Sequence, residues 1–452
     1  MSFILTFCTL LGHGFFWIGI VNRLHALRVP RRLLGVLSWG ALCVCLAGAA
    51  ILVGAWWSGK DFYSAAFADP RQMTSAVGGF FQGYLLLCWI VLAATAVRWL
   101  GLSIGRRRAS GVLRFHRRKP LSVNSALTAG SAGEHLPPYS VRLPGNQSLK
   151  LELTQQAFTV PRLPTALDGL TIVHLSDLHF TGKVGKAYFR EVVEQSNALE
   201  PDLAAITGDI VDNPRCLDWI PDTLGQLRAR HGVFFILGNH DLRVDEGLLR
   251  KTLVASSLVD LGGRWLRISI RGAEIILAGN ELPWFAPAAD FQIISPLPDH
   301  CVVPGEGQGV RIETEKQGPE VRDQKSENNI HHSAFSTQQP DLDPHPNPLP
   351  AGEGTTGPLR ILLAHSPDQL GWARRRDVDL MLCGHSHGGQ VRIPLLGALL
   401  VPSITGVKYD HGLFHQPPTI MHVTRGISGK LPLRWFCPPE IALLTLHSSE
   451  KD

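Results

Sequence analysis

Acidic residues are scarce at the start of this chain. Of the first 120 residues only Asp61 and Asp69 are acidic, against 14 Lys and Arg, whereas the rest carries 36 acidic against 29 basic side chains. The overall net charge of +5 therefore hides a basic N-terminal part and a mildly acidic body. An acidic body argues against nucleic acid as the main partner. Paired cysteines are also lacking. The eight cysteines include no CxxC, and Cys8, Cys43, Cys45 and Cys88 lie in apolar runs. That spacing excludes both a zinc knuckle and a disulfide framework, and it suits a reducing cytoplasm. The first apolar run has no positively charged leader and no small-residue cleavage site, which argues against a cleaved signal peptide. Arg31-Arg32 resembles a twin-arginine export signal only weakly, because an apolar span already precedes it.

Long apolar runs are plentiful. Three, at about 3–21, 33–57 and 79–97, are long enough to cross a bilayer. The second ends in Trp56-Trp57, an aromatic pair suited to a membrane interface. The first loop holds Arg23, Arg28, Arg31 and Arg32. In the second, Lys60 and Arg71 cancel Asp61 and Asp69. After the third run come Arg106-Arg107-Arg108, Arg114 and Arg117-Arg118-Lys119. The positive-inside rule then puts the first loop and everything after the third span in the cytoplasm. The expectation is a multi-pass protein of the cell inner membrane. It has a transmembrane region at 1–103, then a basic juxtamembrane segment and linker at 104–160 able to hold anionic head groups. A cytoplasmic domain follows at 161–450.

In the body, apolar β-branched runs alternate with helical patterns. "LTIVHLSD", "DLAAITGD" and "GVFFILGNHD" are the first three such runs. Between them, "KAYFREVVEQSNALE" places Phe189, Val192 and Val193 at helical spacing, and "PDTLGQLRARH" can be a helix. This is an α/β pattern with parallel units. The later runs "WLRISI", "EIILAGN", "RILLAHS", "DLMLCGH", "TIMHVTRG" and "EIALLTLH" are in part too close together for crossover helices. A hairpin at Arg271-Gly272 and two packed sheets of mixed direction are expected. From about 298 to 358 the chain is polar and rich in Pro, Gly, Gln and Asn. That stretch is expected to be a disordered insertion within the domain, with His331, His332, Asp341 and Asp343 solvated.

The ends of the apolar runs carry the chemistry. They deliver Asp177 and His179; Asp209, with Asp212 three residues on; Asn239, His240 and Asp241; His365; and His385 and His387. Open α/β sheets place ligands at these strand ends. A single such residue has a plainer explanation. His174, in mid-strand, is expected to be a satisfied core histidine, and Asp212 could cap the next helix. Five strand ends repeating the pattern point to a metal site of nitrogen and oxygen donors without thiolate, suited to Mn, Fe, Zn or Mg.

D-x-H, G-D-x-x-D, G-N-H-D, a lone His and G-H-x-H, in this order, resemble the calcineurin-like metallophosphoesterase superfamily over about 165–450, apart from the insertion. "GNHD", "GHSHGG" and the closing "TRGISGKLPLRWFCPPEIALLTL" are similar to a membrane-associated bacterial branch that includes UDP-2,3-diacylglucosamine pyrophosphate hydrolases. The resemblance implies a two-sheet α/β sandwich flanked by helices. It implies one divalent metal ion, Mn by preference, on Asp177, His179, Asp209 and His387, and a second on Asp209, Asn239, His365 and His385, with Asp209 shared. It also implies hydrolysis of a phosphodiester or pyrophosphate, with His240 as general acid and Asp212 orienting and charging it. A lipid-linked substrate such as UDP-2,3-diacylglucosamine is the specific expectation. A tethered general phosphodiesterase and an inactive membrane scaffold are the alternatives. The glycines around His385 and His387 are expected to free the backbone there. Trp284 and Phe285 are placed either beside the site or in the core.

Overall fold

The computed structural model describes residues 2–26, 31–57, 76–108, 111–121, 139–285, 288, 357–394 and 396–449. Most of the expected insertion at 298–358, with Cys301, His331, His332, Asp341 and Asp343, lies outside these residues.

Three helices open the chain: α1 (Ser2–Ala26), α2 (Arg31–Trp57) and α3 (Ala76–Arg108). Each is long and apolar enough to cross a membrane, over Phe3–Ala26, Arg32–Gly54 and Gln82–Gly101. Their outward side chains, Val36, Leu46 and Val97 among them, are apolar and exposed, as hydrocarbon contact demands. Inside the bundle, the buried His13 ring joins all three helices. Nε2–H donates to the Cys45 carbonyl (2.8 Å), and Nδ1 pairs with the Tyr84 hydroxyl (2.5 Å).

Beyond the helices stand two packed sheets. The first runs in the order β1 (Leu113–Pro120), β2 (Glu152–Thr159), β15 (Glu440–His447), β3 (Leu170–Leu175), β4 (Leu203–Thr207), β5 (Val233–Ile236), β6 (Val259–Asp260). The second runs β13 (Gly412–Gln416), β14 (Thr419–Val423), β10 (Leu380–Cys383), β9 (Leu359–Ala364), β8 (Ala273–Asn280), β7 (Trp265–Ile270). A short hairpin, β11 (Arg392–Ile393) with β12 (Gly397–Ala398), stands apart. The sheets are mixed, as their spacing in sequence requires. β7 and β8 meet in the expected hairpin, Ile270 opposite Ala273, with Arg271 and Gly272 both at positive φ, the geometry of a tight turn that follows strand twist.

The strands are apolar on both faces because both faces are covered. Leu170 and Ile172 of β3 meet Ile361 and Leu363 of β9 between the sheets. Val173 and Leu175 point the other way, toward Phe189, Val192 and Val193 of α4 (Lys186–Asn197).

Two expectations change. The 221–231 stretch forms only a short 3-10 turn at Leu224–Gln226. Pro221 opens it, and a side chain in place of Gly225 would meet the Ile220 carbonyl at 3.3 Å and Ser256 Cβ at 3.1 Å. The basic stretch 114–119, expected in the juxtamembrane segment, is mostly edge strand β1 paired to β2. Its exposed charges suit an edge that must not recruit further strands.

The helices dock on the domain. Asn22 of α1 donates to the Leu399 carbonyl and accepts from Val401 N–H, both at 3.0 Å. Arg98 of α3 donates to the Thr405 carbonyl.

Candidate metal centre

Each motif sits where a strand runs out. Asp177 and His179 follow β3, Asp209 follows β4, Asn239 and His240 follow β5, His365 follows β9, and His385 and His387 follow β10. Asp177, His179, Asp209, His385 and His387 all have positive φ, between 49° and 65°. L-residues avoid this region, and such strain persists where surrounding structure over-determines it. In the turn at 384–389, Gly388 and Gly389 take positive φ, 60° and 80°, as the glycines there were expected to. The two histidines take the left-handed conformation as well, and Gly384 provides space. A Cβ at Gly384 would lie 2.3 Å from Asp177 Oδ2, and one at Gly238 would lie 2.4 Å from Asp209 Oδ1.

The structure brings seven of the expected residues into two groups that share one carboxylate. Asp177, His179, Asp209 and His387 form one group; Asp209, His365 and His385 form the other. Asn239 joins the second, with its Oδ1 3.1 Å from His365 Nε2. A single oxygen, Asp209 Oδ2, lies 3.6 Å from His179 Nε2 and 3.3 Å from His365 Nε2. His387 Nε2 is 3.2 Å from His179 Nε2 and 3.4 Å from Asp177 Oδ1. His385 Nδ1 is 3.2 Å from His365 Nε2.

For His365 and His179, a partner on the far side of the ring fixes which nitrogen faces inward. His365 Nδ1 lies 2.7 Å from the Thr207 carbonyl, which can only accept, so Nδ1–H donates and Nε2 is the nitrogen that faces the cluster. His179 Nδ1 donates likewise to Asp212 Oδ2 at 2.6 Å. Burial, aided by His365, pushes His385 down to about 3, and burial holds His387 far below the ordinary value, so both are neutral. Burial also opposes protonation of His365, but Asp209 outweighs it and raises that ring to about 9.

These residues fit a divalent ion. Atoms bound 2.0–2.2 Å from one ion stand about 3–3.5 Å from each other, close to the 3.2–3.6 Å separations in both groups. A ligand histidine whose other nitrogen donates to a carboxylate or carbonyl is the usual supporting arrangement. The oxygen and nitrogen donors suit several divalent ions and do not select one.

Beside these two groups lies a third, His179, Asp212 and His240. Asp212 accepts from both rings, His179 Nδ1 and His240 Nδ1 each at 2.6 Å, and also from Arg243. The following 3-10 turn is capped by Asn213, not Asp212. His240 N–H donates to Asp209 Oδ1 (2.7 Å). His174 lies outside the site, bonded to Thr207 Oγ1 and His422 Nδ1, each at 2.9 Å. Trp284 and Phe285 are buried in the core, and Trp284 also packs on the rings of His365 and His385.

Three supports were not read from the sequence. Asp241 accepts from the backbone N–H groups of Ile210, Val211 and Gly238, tying together the loops that carry Asp209 and Asn239. Its signal was the last letter of "GNHD". The closing segment holds Asp177 from behind: Ser428 N–H donates to its carbonyl, and Gly426 leaves room for its Cβ. Arg434, fully buried, fastens that segment by donating to the carbonyls of Arg425 and Ser428. Nothing local in the sequence marks this arginine.

Residues 170–389 match the family model of the calcineurin-like phosphoesterases. Among known proteins, the chain is 27% identical over 336 residues to the metallophosphoesterase YkuE of Bacillus subtilis, covering 72% of this chain and 93% of that one. It is 24% identical over 310 residues to the UDP-2,3-diacylglucosamine pyrophosphatase LpxG of Chlamydia muridarum (65% and 88%). It is 26% identical over 277 residues to the phosphodiesterase YaeI of Escherichia coli (61% and 81%). The chain carries a calcineurin-like phosphoesterase domain and is a metal-dependent phosphoester hydrolase.

Proposed function

We propose that the chain is a membrane-anchored phosphohydrolase with two divalent ions. Asp177, His179, Asp209 and His387 hold one, Asp209, Asn239, His365 and His385 hold the other, and Asp209 reaches both. The supporting observation is the pair of inward-facing Nε2 atoms, on His179 and His365, that flank the single oxygen Asp209 Oδ2. When bound, the ions supply Lewis-acid charge and a water made nucleophilic at neutral pH, with Mn our assignment. His240 handles the proton of the leaving oxygen. Asp212 fixes its Nδ1, which leaves Nε2 to carry and deliver that proton. Burial lowers the His240 pKa more than Asp209 and Asp212 raise it, which makes the charged ring a stronger acid and the less populated form at neutral pH.

The substrate we assign is a lipid-linked phosphoester or pyrophosphate such as UDP-2,3-diacylglucosamine, cleaved at the cytoplasmic face of the inner membrane. Two observations support this. The domain is bonded to the ends of α1 and α3 through Asn22 and Arg98, and a relative at 24% identity is named for that activity. A general phosphodiesterase tethered to the membrane is the second reading, favoured by the Escherichia coli relative. The full donor set opposes an inactive scaffold.

The test is Mn-dependent turnover of UDP-2,3-diacylglucosamine by the full chain in detergent. Bis-p-nitrophenyl phosphate runs in parallel, with Asp209→Asn as the blank. Lipid cleavage absent from the variant is the expected result. Hydrolysis of the synthetic diester alone would discard the lipid substrate and keep the second reading.

A further inference from the structure

A cavity of about 750 Å³ lies between α1, α3 and the 392–410 segment of the catalytic domain. Leu11, Phe15 and Leu92 line one end, and Arg23, Arg98 and Arg392 line the other. Along α1, the distance from Leu11 to Arg23 is about 18 Å at the helical rise per residue, a little over half of a hydrocarbon core ~30 Å thick. The cavity is thus one leaflet deep, apolar inside and cationic at the mouth. Two of its walls are spans, so the medium it faces there is bilayer.

The charge at the mouth is unbalanced. The acid that lines it, Asp410, is committed to Arg392 at 2.6 Å. Arg23 donates to the Gly19 carbonyl and Arg98 to that of Thr405. A guanidinium carries five N–H donors, so each retains several for an anion. On the domain side, the exposed Leu396, Leu400, Ile404 and Phe436 extend an apolar surface around the same segment.

The cavity touches the back of the metal-binding loop without opening into it. Arg392 Nη1 donates to the Gly388 carbonyl (2.8 Å), and Ser386 Oγ donates to that of Asp410 (2.5 Å). The loop lies flush on β12: a Cβ at Gly389 would stand 2.4 Å from Ala398 Cβ and 3.2 Å from the Leu400 carbonyl. A phosphate at Arg23 and Arg98 is therefore walled off from the histidine cluster.

We propose that this groove binds an anionic bilayer phospholipid, with one acyl chain between α1 and α3 and its phosphate on Arg23 and Arg98. It is a resident lipid distinct from the substrate. The proposal does not depend on which phosphoester the enzyme cleaves.

The test is native mass spectrometry of the full chain in mild detergent, titrated with phosphatidylglycerol and phosphatidylcholine of matched chains. A basic residue near a lipid head group contributes about fivefold in affinity. The expected result is one retained phosphatidylglycerol per chain with about 25-fold preference. Arg23→Gln or Arg98→Gln should each lower that preference about fivefold. Ala96→Trp, which fills the groove and removes no charge, should abolish retention of both lipids. Bis-p-nitrophenyl phosphate turnover by each variant reports that it is folded. Equal retention of the two lipids by the wild-type chain would overturn the proposal without reference to any variant. So would a preference that survives the double arginine substitution. Displacement of the retained lipid by the enzyme's own lipid substrate, in step with turnover, would make the groove a substrate site and overturn its resident role.

Discussion

Asp212→Asn is the most informative change near the centre. The Asp212 carboxylate accepts from His179 Nδ1 and from His240 Nδ1, each at 2.6 Å, and its side chain is only 4% exposed. Burial alone would raise its pKa, but the two histidines hold the carboxyl well below the ordinary range. Asparagine keeps the shape and offers one oxygen and one NH2. Wherever the NH2 meets an imidazole, that ring must move its proton to Nε2. In His179 this is the nitrogen that faces His387 and Asp209. A hydrogen bond to a charged group contributes about 1.5–3 kcal/mol, which is about 10–100-fold in an equilibrium constant. Metal affinity should therefore fall by roughly 10–100-fold, in line with other supporting carboxylates. At saturating metal, the loss of charge on the bond to His240 removes about 1 kcal/mol of support and should lower kcat roughly fivefold on a substrate whose leaving alkoxide needs that proton. The assay is a metal titration of turnover of an alkyl phosphodiester, with a thermal melt to verify folding. A variant whose metal affinity and kcat both stay within about twofold of wild type, below even the weakest bond expected, would refute this chain of reasoning.

Other consequences follow from individual residues. With His365 raised to about 9 in the metal-free protein, a metal must displace its proton below that pH. Affinity measured by calorimetry should rise with pH up to about 9, with proton release that depends on the buffer. His240→Ala should slow substrates with alkoxide leaving groups by about 10²–10⁴-fold and slow nitrophenyl esters less, because nitrophenolate needs no proton. Equal losses on both would remove the acid role. Gly384→Ala would drive Cβ into Asp177 Oδ2. It should abolish metal-dependent turnover and cost about 1–3 kcal/mol of stability by overpacking, which a melt and an activity assay would read together. Glu440 pairs with the buried Arg425 at 2.7 Å. Burial would raise the Glu440 pKa, but Arg425 holds it far below its ordinary value. Its contribution to stability is therefore full above about pH 4.3 and declines as pH falls further. Glu440→Gln should destabilise by about 3–5 kcal/mol at neutral pH and flatten that acid dependence in denaturant titrations.

The strand pattern was legible because both faces of each strand are covered, which leaves continuous apolar runs that only β-structure of that length can use. The clustered Asp, Asn and His side chains were legible because they stand at the ends of those runs. The helix expected over 221–231 failed because Gly225, a poor helix former in mid-segment, outweighs a short apolar spacing. The positive φ of Asp177 and His385 could not be read at all. It is imposed by contacts distant in sequence, such as His385 N–H donating to Asp177 Oδ2 at 3.0 Å and Ser428 N–H to the Asp177 carbonyl at 2.9 Å. Arg434 and the Asn22 contact with residues 399–401 belong to the same class. Each is a single polar side chain whose partners lie in segments without periodicity.

The central claim is that Asp209 holds two ions at once. Metal content per chain, measured by mass spectrometry of purified protein loaded with Mn and dialysed, tests it directly. The account predicts two ions per wild-type chain, with most of that metal lost in Asp209→Asn. A single ion in the wild type, or two retained by the variant, would contradict it.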